Sequence, residues 1–516
     1  MTKGYNQFVA DLIESEINPY PGFVKPAAAI CFPNHYEVAT ANLGFSHLAY
    51  FFSEYGGFER FFYFKKYPDY AGLSFESGRK LKDFPIIAFS IPYEFDIINT
   101  LKMMDRGGVL DDLSNLRIAG GAAVTLNPYP FKPFFDIIVL GEGEMFFRQF
   151  SNILNKLGVG IGKERILEEV RSIQSVMIPG KKESGIEIAL SGEDDLSDVI
   201  PQIISTKAHF GDMHLIDICR GCRFKCNFCA SGNIRAKPLY REMNNLTGDA
   251  SDTPEMSKVG LIGSIVSDHP DFSRIVTDYA KLGVRLGISS LRADMLDDDI
   301  LNILYNSGVK SLTLAPEAGN DALRKRIGKA ITDEEFIACA RRISKLGFNS
   351  IKLYFMIGLP GESNDDIHSI TTLCGRILKA LNSTRLQVSI SVFTPKAHTP
   401  FQFAPFMSNE FYRERTGILR QELTKLKCRF SISGYREAFI SALLSLGDKR
   451  IGEIMKTFAI EGKNLKSELK RQKIDFESLL FSEKDLDYRF PWDKIKGVFS
   501  KGSLYSRYER ARKNPT

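Results

Sequence analysis

Two α/β units in tandem, followed by a helical tail, are the fold that this sequence predicts. Three observations predict it: β-rich runs alternating with amphipathic stretches in the first third, a second such alternation after about residue 210, and the loss of strand signals after about 405. In the first unit the runs are AAAICF (27–32), RFFYF (60–64), PIIAFS (85–90), LRIAGG (116–121) and FDIIVLGEGE (135–144). Most lead into a helical pattern, such as Val38 to Phe52 or Glu144 to Leu157, so a parallel, doubly wound sheet is expected over 1–160. Residues 161–209 turn polar and rich in Gly, Lys and Glu, which suits a connector with a small hairpin.

The second alternation runs through HLIDI (214–218), VGLIGSIV (259–266), RLGISS (285–290), KSLTLAP (310–316), NSIKLYFMIG (349–358) and LQVSISVF (386–393). Thr332 with Glu335, and Ser363 with Asp366, have the spacing of capping boxes before apolar helical faces, and Gly347 marks the end of the first of these helices. Six strands are too few for an eight-stranded barrel, so a partial (β/α)6 barrel, open along one side, is expected over 210–405. Ligands of such sheets sit at the C-terminal ends of the strands. Residues 406–516 read as helical and charged, ending in the basic RYERARKNPT, with Trp492 as a packing anchor.

Composition narrows the class. The 516 residues carry 68 Lys+Arg against 62 Asp+Glu, and a net +6 spread over this length does not demand a nucleic-acid partner. No apolar run approaches the roughly 18 residues of a membrane span, and the N-terminus is too polar for a signal peptide, so a cytoplasmic protein with no membrane partner is expected. Four of the eight cysteines fall between 219 and 229, a density that points to metal or redox chemistry rather than cross-linking.

That stretch is CRGCRFKCNFCASG (219–232), in which Cys222, Cys226 and Cys229 form C-x3-C-x2-C directly after the first barrel strand. Thiolates at these spacings let one loop wrap an iron–sulfur core, and three ligands on a four-iron cube leave one iron for a chelating cofactor. Zinc is the competing reading, with Cys219 as its fourth ligand; structural zinc sites usually draw on two separated knuckles, which this loop lacks. Arg220, Arg223 and Lys225 interleave with the cysteines, where their charge would offset the thiolates. Cys31, Cys339, Cys374 and Cys428 are scattered singly and read as core residues.

The loop RGCRFKCNFC resembles that of radical S-adenosylmethionine (SAM) enzymes. SSLRAD (289–294), LAPEAGNDALRKRIGKAIT (314–332), YFMIGLPGES (354–363) and VFTPKAHTPFQFAP (392–405) follow in the order of that superfamily. With FPNHYEVATANLG (32–44), FSIPYEFDIINTL (89–101), GGAAVTLNPYP (120–130) and GEGE (141–144), the chain resembles the subgroup with an N-terminal Rossmann-like, cobalamin-binding-like domain, related to the methylthiotransferases and to Elongator-type catalytic subunits.

The resemblance implies a [4Fe–4S] cluster on Cys222, Cys226 and Cys229, reductive cleavage of SAM, a reducing electron donor such as a flavodoxin or ferredoxin, and a substrate that nothing in the sequence names. It also implies SAM contacts: Phe228 near the adenine, Arg292 and Glu317 at the ribose or methionyl end, and Ile357, Gly358 and Leu359 against the adenine. Ser264 stands where the superfamily often has a Gly-Gly-Glu run for the amino group, and a Ser hydroxyl or Asp268 would have to substitute. An intra-barrel salt bridge for Arg292 and a helix-cap role for Glu317 are the structural alternatives. No Asp-x-His-x-x-Gly supplies an axial imidazole, His35 lacking the following glycine, which leaves cobalamin open only in a base-off, unligated form. Methylation, sulfur insertion and rearrangement are open outcomes. Methylthio transfer ranks low because the N-terminal third has only Cys31, while the basic tail leaves an RNA substrate open. The alternative from another class is a non-catalytic zinc- or cluster-containing ligand sensor.

Overall fold

Strands that are apolar on both faces can be buried only in a sheet covered on two sides, and the first third of the chain supplies five of them. The computed structural model describes residues 2–20, 22–23, 27–157, 162–192, 201–242 and 258–513. In it β1 (Ala28–Phe32), β2 (Phe58–Phe62), β3 (Ile86–Ser90), β4 (Leu116–Gly120) and β5 (Ile137–Val139) are parallel. A short β6 (Val176–Met177) closes the edge antiparallel to β5. The order β2-β1-β3-β4-β5-β6 puts the topological switch between β1 and β3, where a doubly wound sheet opens its crevice. The amphipathic stretch expected from Val38 to Phe52 is broken into helices Tyr36–Ala39 and Leu43–Glu54. Asn42 causes the break: its side chain accepts from the Phe45 N–H at 2.9 Å and starts a new helix.

The connector contributes β7 (Ile186–Glu187). Next come β8 (His214–Arg220), with β9 (Leu239–Tyr240) antiparallel on its edge, then β10 (Lys258–Gly263) and β11 (Arg285–Ile288), in the order β11-β10-β8-β9. A second parallel sheet holds β12 (Ser311–Glu317), β13 (Ser350–Ile357), β14 (Arg385–Val392) and β15 (Arg429–Ile432). Between the two, the bridge Leu291–Leu314 continues the arc, so the six expected strands form a partial barrel. Both capping boxes form, Thr332 with Glu335 and Ser363 with Asp366, and Gly347 ends its helix at φ +85°.

Of the strands beyond the sequence reading β15 is the longest. It sits in the stretch read as helical, and its four residues, two exposed and two half-buried, are too few and too polar to write an apolar run. Otherwise this region is mostly helical, and a two-residue β16 (Ile495–Lys496) pairs with β7. Trp492, 2% exposed, donates its indole N–H to Gln402 at 3.1 Å and stacks on Phe490. Cys31, Cys339 and Cys374 are buried and Cys428 is half-buried. The expected boundary near 160, residues 193–200 of the connector and the last three residues of the basic tail lie outside the described residues. Among the described residues no helix is long and apolar enough to cross a membrane.

The link from β12 to helix Asp333–Leu346 is organised by one buried cation. Arg324, with no exposed surface, donates to the carbonyls of Ile331 (2.6 Å) and Ala318 (2.8 Å) and pairs with Asp321 and Asp333. Arg324→Met would strand those carbonyls and carboxylates. Removing one partner of such a buried network costs about 3–5 kcal/mol. The expected result is a thermal unfolding midpoint lowered by several degrees, with Arg324→Lys only partly rescuing it because a point charge cannot serve three directions at once.

Candidate functional site

The cysteine loop leaves β8 through Gly221, whose φ of +75° is favourable only for glycine and whose absent Cβ makes room for the Arg235 side chain. Beyond it the loop is irregular, and its backbone is satisfied from several directions. Asn233, in the one-turn helix Ser231–Ile234, donates to the carbonyls of Cys226 (2.9 Å) and Cys229 (2.7 Å). Asn227 donates its backbone N–H to Ile327 at 2.8 Å and its side-chain amide to Arg326 at 3.0 Å. From the helix Lys501–Lys513, Arg507 reaches the Asn233 side chain (2.6 Å) and the Lys225 carbonyl (2.5 Å).

The three thiols of this loop act on one another. Burial pushes Cys226 up to about 12, Lys329 pulls it down, and Cys229 and Cys222 raise it further. Burial likewise raises Cys222, with Cys229 adding to it and Arg292 opposing. The Cys226 thiol also lies 3.5 Å from the Gly328 carbonyl. Cys219 stands apart: burial pushes it up to about 11, and its thiol donates to the Ile265 carbonyl at 3.3 Å.

These residues fit a cluster better than a single ion. Among the described residues no three His, Cys, Asp or Glu side chains converge closely enough to hold one metal ion. Zinc, with Zn–S bonds of about 2.3 Å, needs that convergence. A four-iron cube spreads its thiolates over separate irons, and its positive irons would oppose the burial that raises Cys222 and Cys226.

The remaining predicted residues surround the loop. Arg292 lies 3.6 Å above the Phe224 ring and is bound by Asp294 through two hydrogen bonds, so the salt bridge read as its alternative is present. Glu317, at the end of β12, adopts φ +67° and pairs with Lys329 at 3.0 Å; the helix that follows is capped by Asn320 instead. Phe228 is half-buried against the core. Ile357, Gly358 and Leu359 are buried, and the Gly358 N–H donates to Glu362 at 2.6 Å. Ser264, after β10, lines a cavity. The loop cations point elsewhere: Arg223 to Asp268 (2.7 Å), Lys225 over Phe499, and Arg220 into a carboxylate cluster.

That cluster borders a cavity of about 440 Å³ between the two α/β units. The ends of β3, β4 and β5 line it through Ser90, Gly120, Gly121 and Gly141, and the barrel contributes Asp217, Arg220, Arg235 and Ser264. Arg220 binds Glu144 (2.7 Å), Asp217 (2.6 Å) and Glu142 (3.1 Å), and Arg235 binds Glu142 at 3.0 Å. His47, also on the wall, has Nε2 3.4 Å from Glu144; burial lowers its pKa and keeps the imidazole neutral. His35, the candidate weighed from sequence, instead precedes helix Tyr36–Ala39 and is not among the lining residues.

Sequence reasoning missed the clamps. Asn233 stands only four residues after the last loop cysteine and had a local signal, whereas Arg507 is 280 residues from Asn227 and had none. Glu142 and Glu144 had none either, because their partners lie on the other unit.

A family model described as "Radical SAM superfamily" matches residues 216–374, and one described as "Radical SAM proteins, N-terminal" matches 64–179. An uncharacterised protein of Methanocaldococcus jannaschii is 27% identical over 83% of this chain and 90% of its own length. The ribosomal protein uS12 methylthiotransferase of Caldanaerobacter subterraneus subsp. tengcongensis is 21% identical over 44% of this chain, which spans about half (53%) of that relative. Among solved structures, a radical S-adenosylmethionine methyltransferase of Kitasatospora setae, with cobalamin and a [4Fe–4S] cluster bound, superposes with a TM-score of 0.53. It is 13% identical over 74% of each chain, a likeness of fold.

The interdomain ion pairs can be weighed directly. A double-mutant cycle of Glu142→Gln with Arg235→Gln, read by thermal unfolding, is expected to return a coupling of about 1–3 kcal/mol, since both groups are largely buried. A coupling near zero would mean that the pair behaves like an exposed one.

Proposed function

The chain belongs to the radical SAM superfamily, and from that premise we propose that it falls in the subgroup with an N-terminal cobalamin-binding-like domain and is a [4Fe–4S] enzyme that cleaves SAM reductively to start radical chemistry on a substrate. One observation carries this reading: Cys222, Cys226 and Cys229 share one loop while the buried Cys219 thiol donates to the Ile265 carbonyl, which leaves three thiols of the stretch for a cluster. When bound, the reduced cluster supplies one electron to the sulfonium of SAM, whose C–S bond breaks to methionine and a 5′-deoxyadenosyl radical that takes hydrogen from substrate.

The chain's own residues bind, orient and shield. Lys329 and Arg292 lower the cost of holding thiolates at Cys226 and Cys222. Glu317, fixed by Lys329, presents a carboxylate for the ribose or methionyl end of SAM, and Arg292 stacked on Phe224 fixes the loop from the barrel side. Phe228 and the backbone at Ile357, Gly358 and Leu359 form the adenine side, and Ser264 offers its hydroxyl to the amino group. Residues 1–160, 161–209, 210–405 and 406–516 serve as Rossmann-like unit, connector, barrel and helical region of a cytoplasmic enzyme.

Methyl transfer is the outcome this reading favours. The 440 Å³ cavity lies at the strand C-termini where doubly wound sheets bind ligands, and the Kitasatospora setae methyltransferase of similar fold holds cobalamin. If a corrinoid binds there, Ser90, Gly120, Gly121 and Gly141 would line its site, and His47 on the same wall pairs through Nε2 with Glu144. A zinc-containing sensor is the weaker reading, since it needs the metal-ion geometry that the described residues lack.

Anaerobically purified and reconstituted protein should be brown, absorb near about 400 nm, contain iron and sulfide, and form 5′-deoxyadenosine from SAM. Cys226→Ala is expected to lose iron and all SAM cleavage, whereas Cys219→Ala keeps both. A colourless protein with one zinc per chain would overturn the proposal. Glu317→Gln is expected to raise the KM for SAM about tenfold, the loss of one charge-assisted hydrogen bond, with kcat changing less. Corrinoid analysis of the same preparation tests the methyl-transfer reading.

A further inference from the structure

A second opening, about 380 Å³, lies against the cysteine loop and shares no lining residue with the interdomain cavity. Four cations, Lys325, Arg326, Arg507 and Arg510, line it with Asn227 and two alanines, and no carboxylate is among these lining residues. The protein as a whole carries only +6, so this is a local concentration of charge.

Its position is the informative part. Asn227 lies between Cys226 and Cys229 in the chain. Arg507 binds the Asn233 side chain, and that same amide donates to the carbonyls of both cysteines. Gly328, two residues beyond Arg326, places its carbonyl 3.5 Å from the Cys226 thiol. The cleft is therefore one residue or one side-chain bridge from two of the proposed cluster ligands, while Ser264 and the interdomain cavity lie on surfaces it does not touch.

We propose that this basic cleft docks an acidic one-electron carrier protein and is where the electron enters. The inference rests on the proposed radical SAM function, which needs one low-potential electron per cleavage. The carrier is oxidised by one electron, the cluster is reduced by one, and no atom or proton crosses. Cations steer an acidic partner and set its orientation, and the short route from cleft to ligands makes docking there productive. Nucleic-acid phosphates would also be attracted to four cations. A substrate strand, however, gains nothing from contact with the ligand loop, whereas an electron carrier does.

The test uses the full-length reconstituted protein, with reduced flavodoxin as the acidic carrier and dithionite as a small reductant that needs no docking. Lys325 and Arg510 are both exposed and hold none of the loop's backbone. In Lys325→Glu/Arg510→Glu, 5′-deoxyadenosine formation driven by flavodoxin is expected to fall about tenfold or more, with dithionite-driven formation within about twofold of the parent. The neutral pair Lys325→Gln/Arg510→Gln should fall between, and raised salt should slow the flavodoxin reaction of the parent alone. An unchanged flavodoxin rate overturns the inference, as does an equal fall with both reductants, which would mean damage to the loop. Loss of tRNA binding with the flavodoxin rate intact overturns it in favour of a nucleic-acid surface. A parent protein that makes no 5′-deoxyadenosine with dithionite overturns the proposed function itself, and this inference with it.

Discussion

Holding three thiols, two of them buried, on a loop without regular structure leaves backbone groups that the loop cannot satisfy by itself. Most of what surrounds residues 221–230 answers that constraint. The amide of Asn233 takes two of the loop carbonyls, Ile327 and Arg326 accept from Asn227, and Arg507 takes the carbonyl of Lys225. The partners come from the following turn, from the β12 crossover and from the last described helix. A loop held this way keeps its three sulfurs in place before any metal arrives, which lowers the ordering cost of binding.

The crossover contributes more than a carbonyl. Residues 318–333 carry Ile327, Gly328 and Lys329, which respectively accept from the loop, approach Cys226 and temper its thiol. Arg324 fixes this segment from inside the core, and Lys329 in turn fixes Glu317. A fully buried arginine is costly to desolvate, and satisfying it in three directions is what turns that cost into a rigid support. Stability and site chemistry thus meet in one short stretch of chain.

Much of the fold was legible because it is written locally. Apolar runs, capping boxes and helix-ending glycines depend on neighbours within a few residues, and Thr332, Ser363 and Gly347 behave as their spacing implies. The spacing of the cysteine triad is local in the same way. β15 was not, being four exposed or half-buried residues that become a strand because β14 offers an edge. Nor were Arg507, or the direction of Arg220, since charge alone does not say which of several distant carboxylates an arginine will find. His35 drew attention by its motif-like setting, while His47, in an ordinary helical stretch, is the histidine on the cavity wall.

The direction of Arg220 has a consequence for how the two α/β units work together. It is the last residue of β8 and precedes the cysteine loop, yet its guanidinium is bound by Glu142 and Glu144 of the N-terminal unit. Arg235, just past the loop, grips Glu142 as well. The loop is therefore bracketed in sequence by two arginines that share a carboxylate from the opposite unit. That carboxylate stands in the wall of the cavity, one residue after Gly141, whose φ of +104° brings its backbone against Ala189 with no space for a side chain. The cavity wall and the two ends of the cysteine loop therefore share one carboxylate: a ligand resting against this glycine turn would lie beside Glu142, the group that both flanking arginines grip.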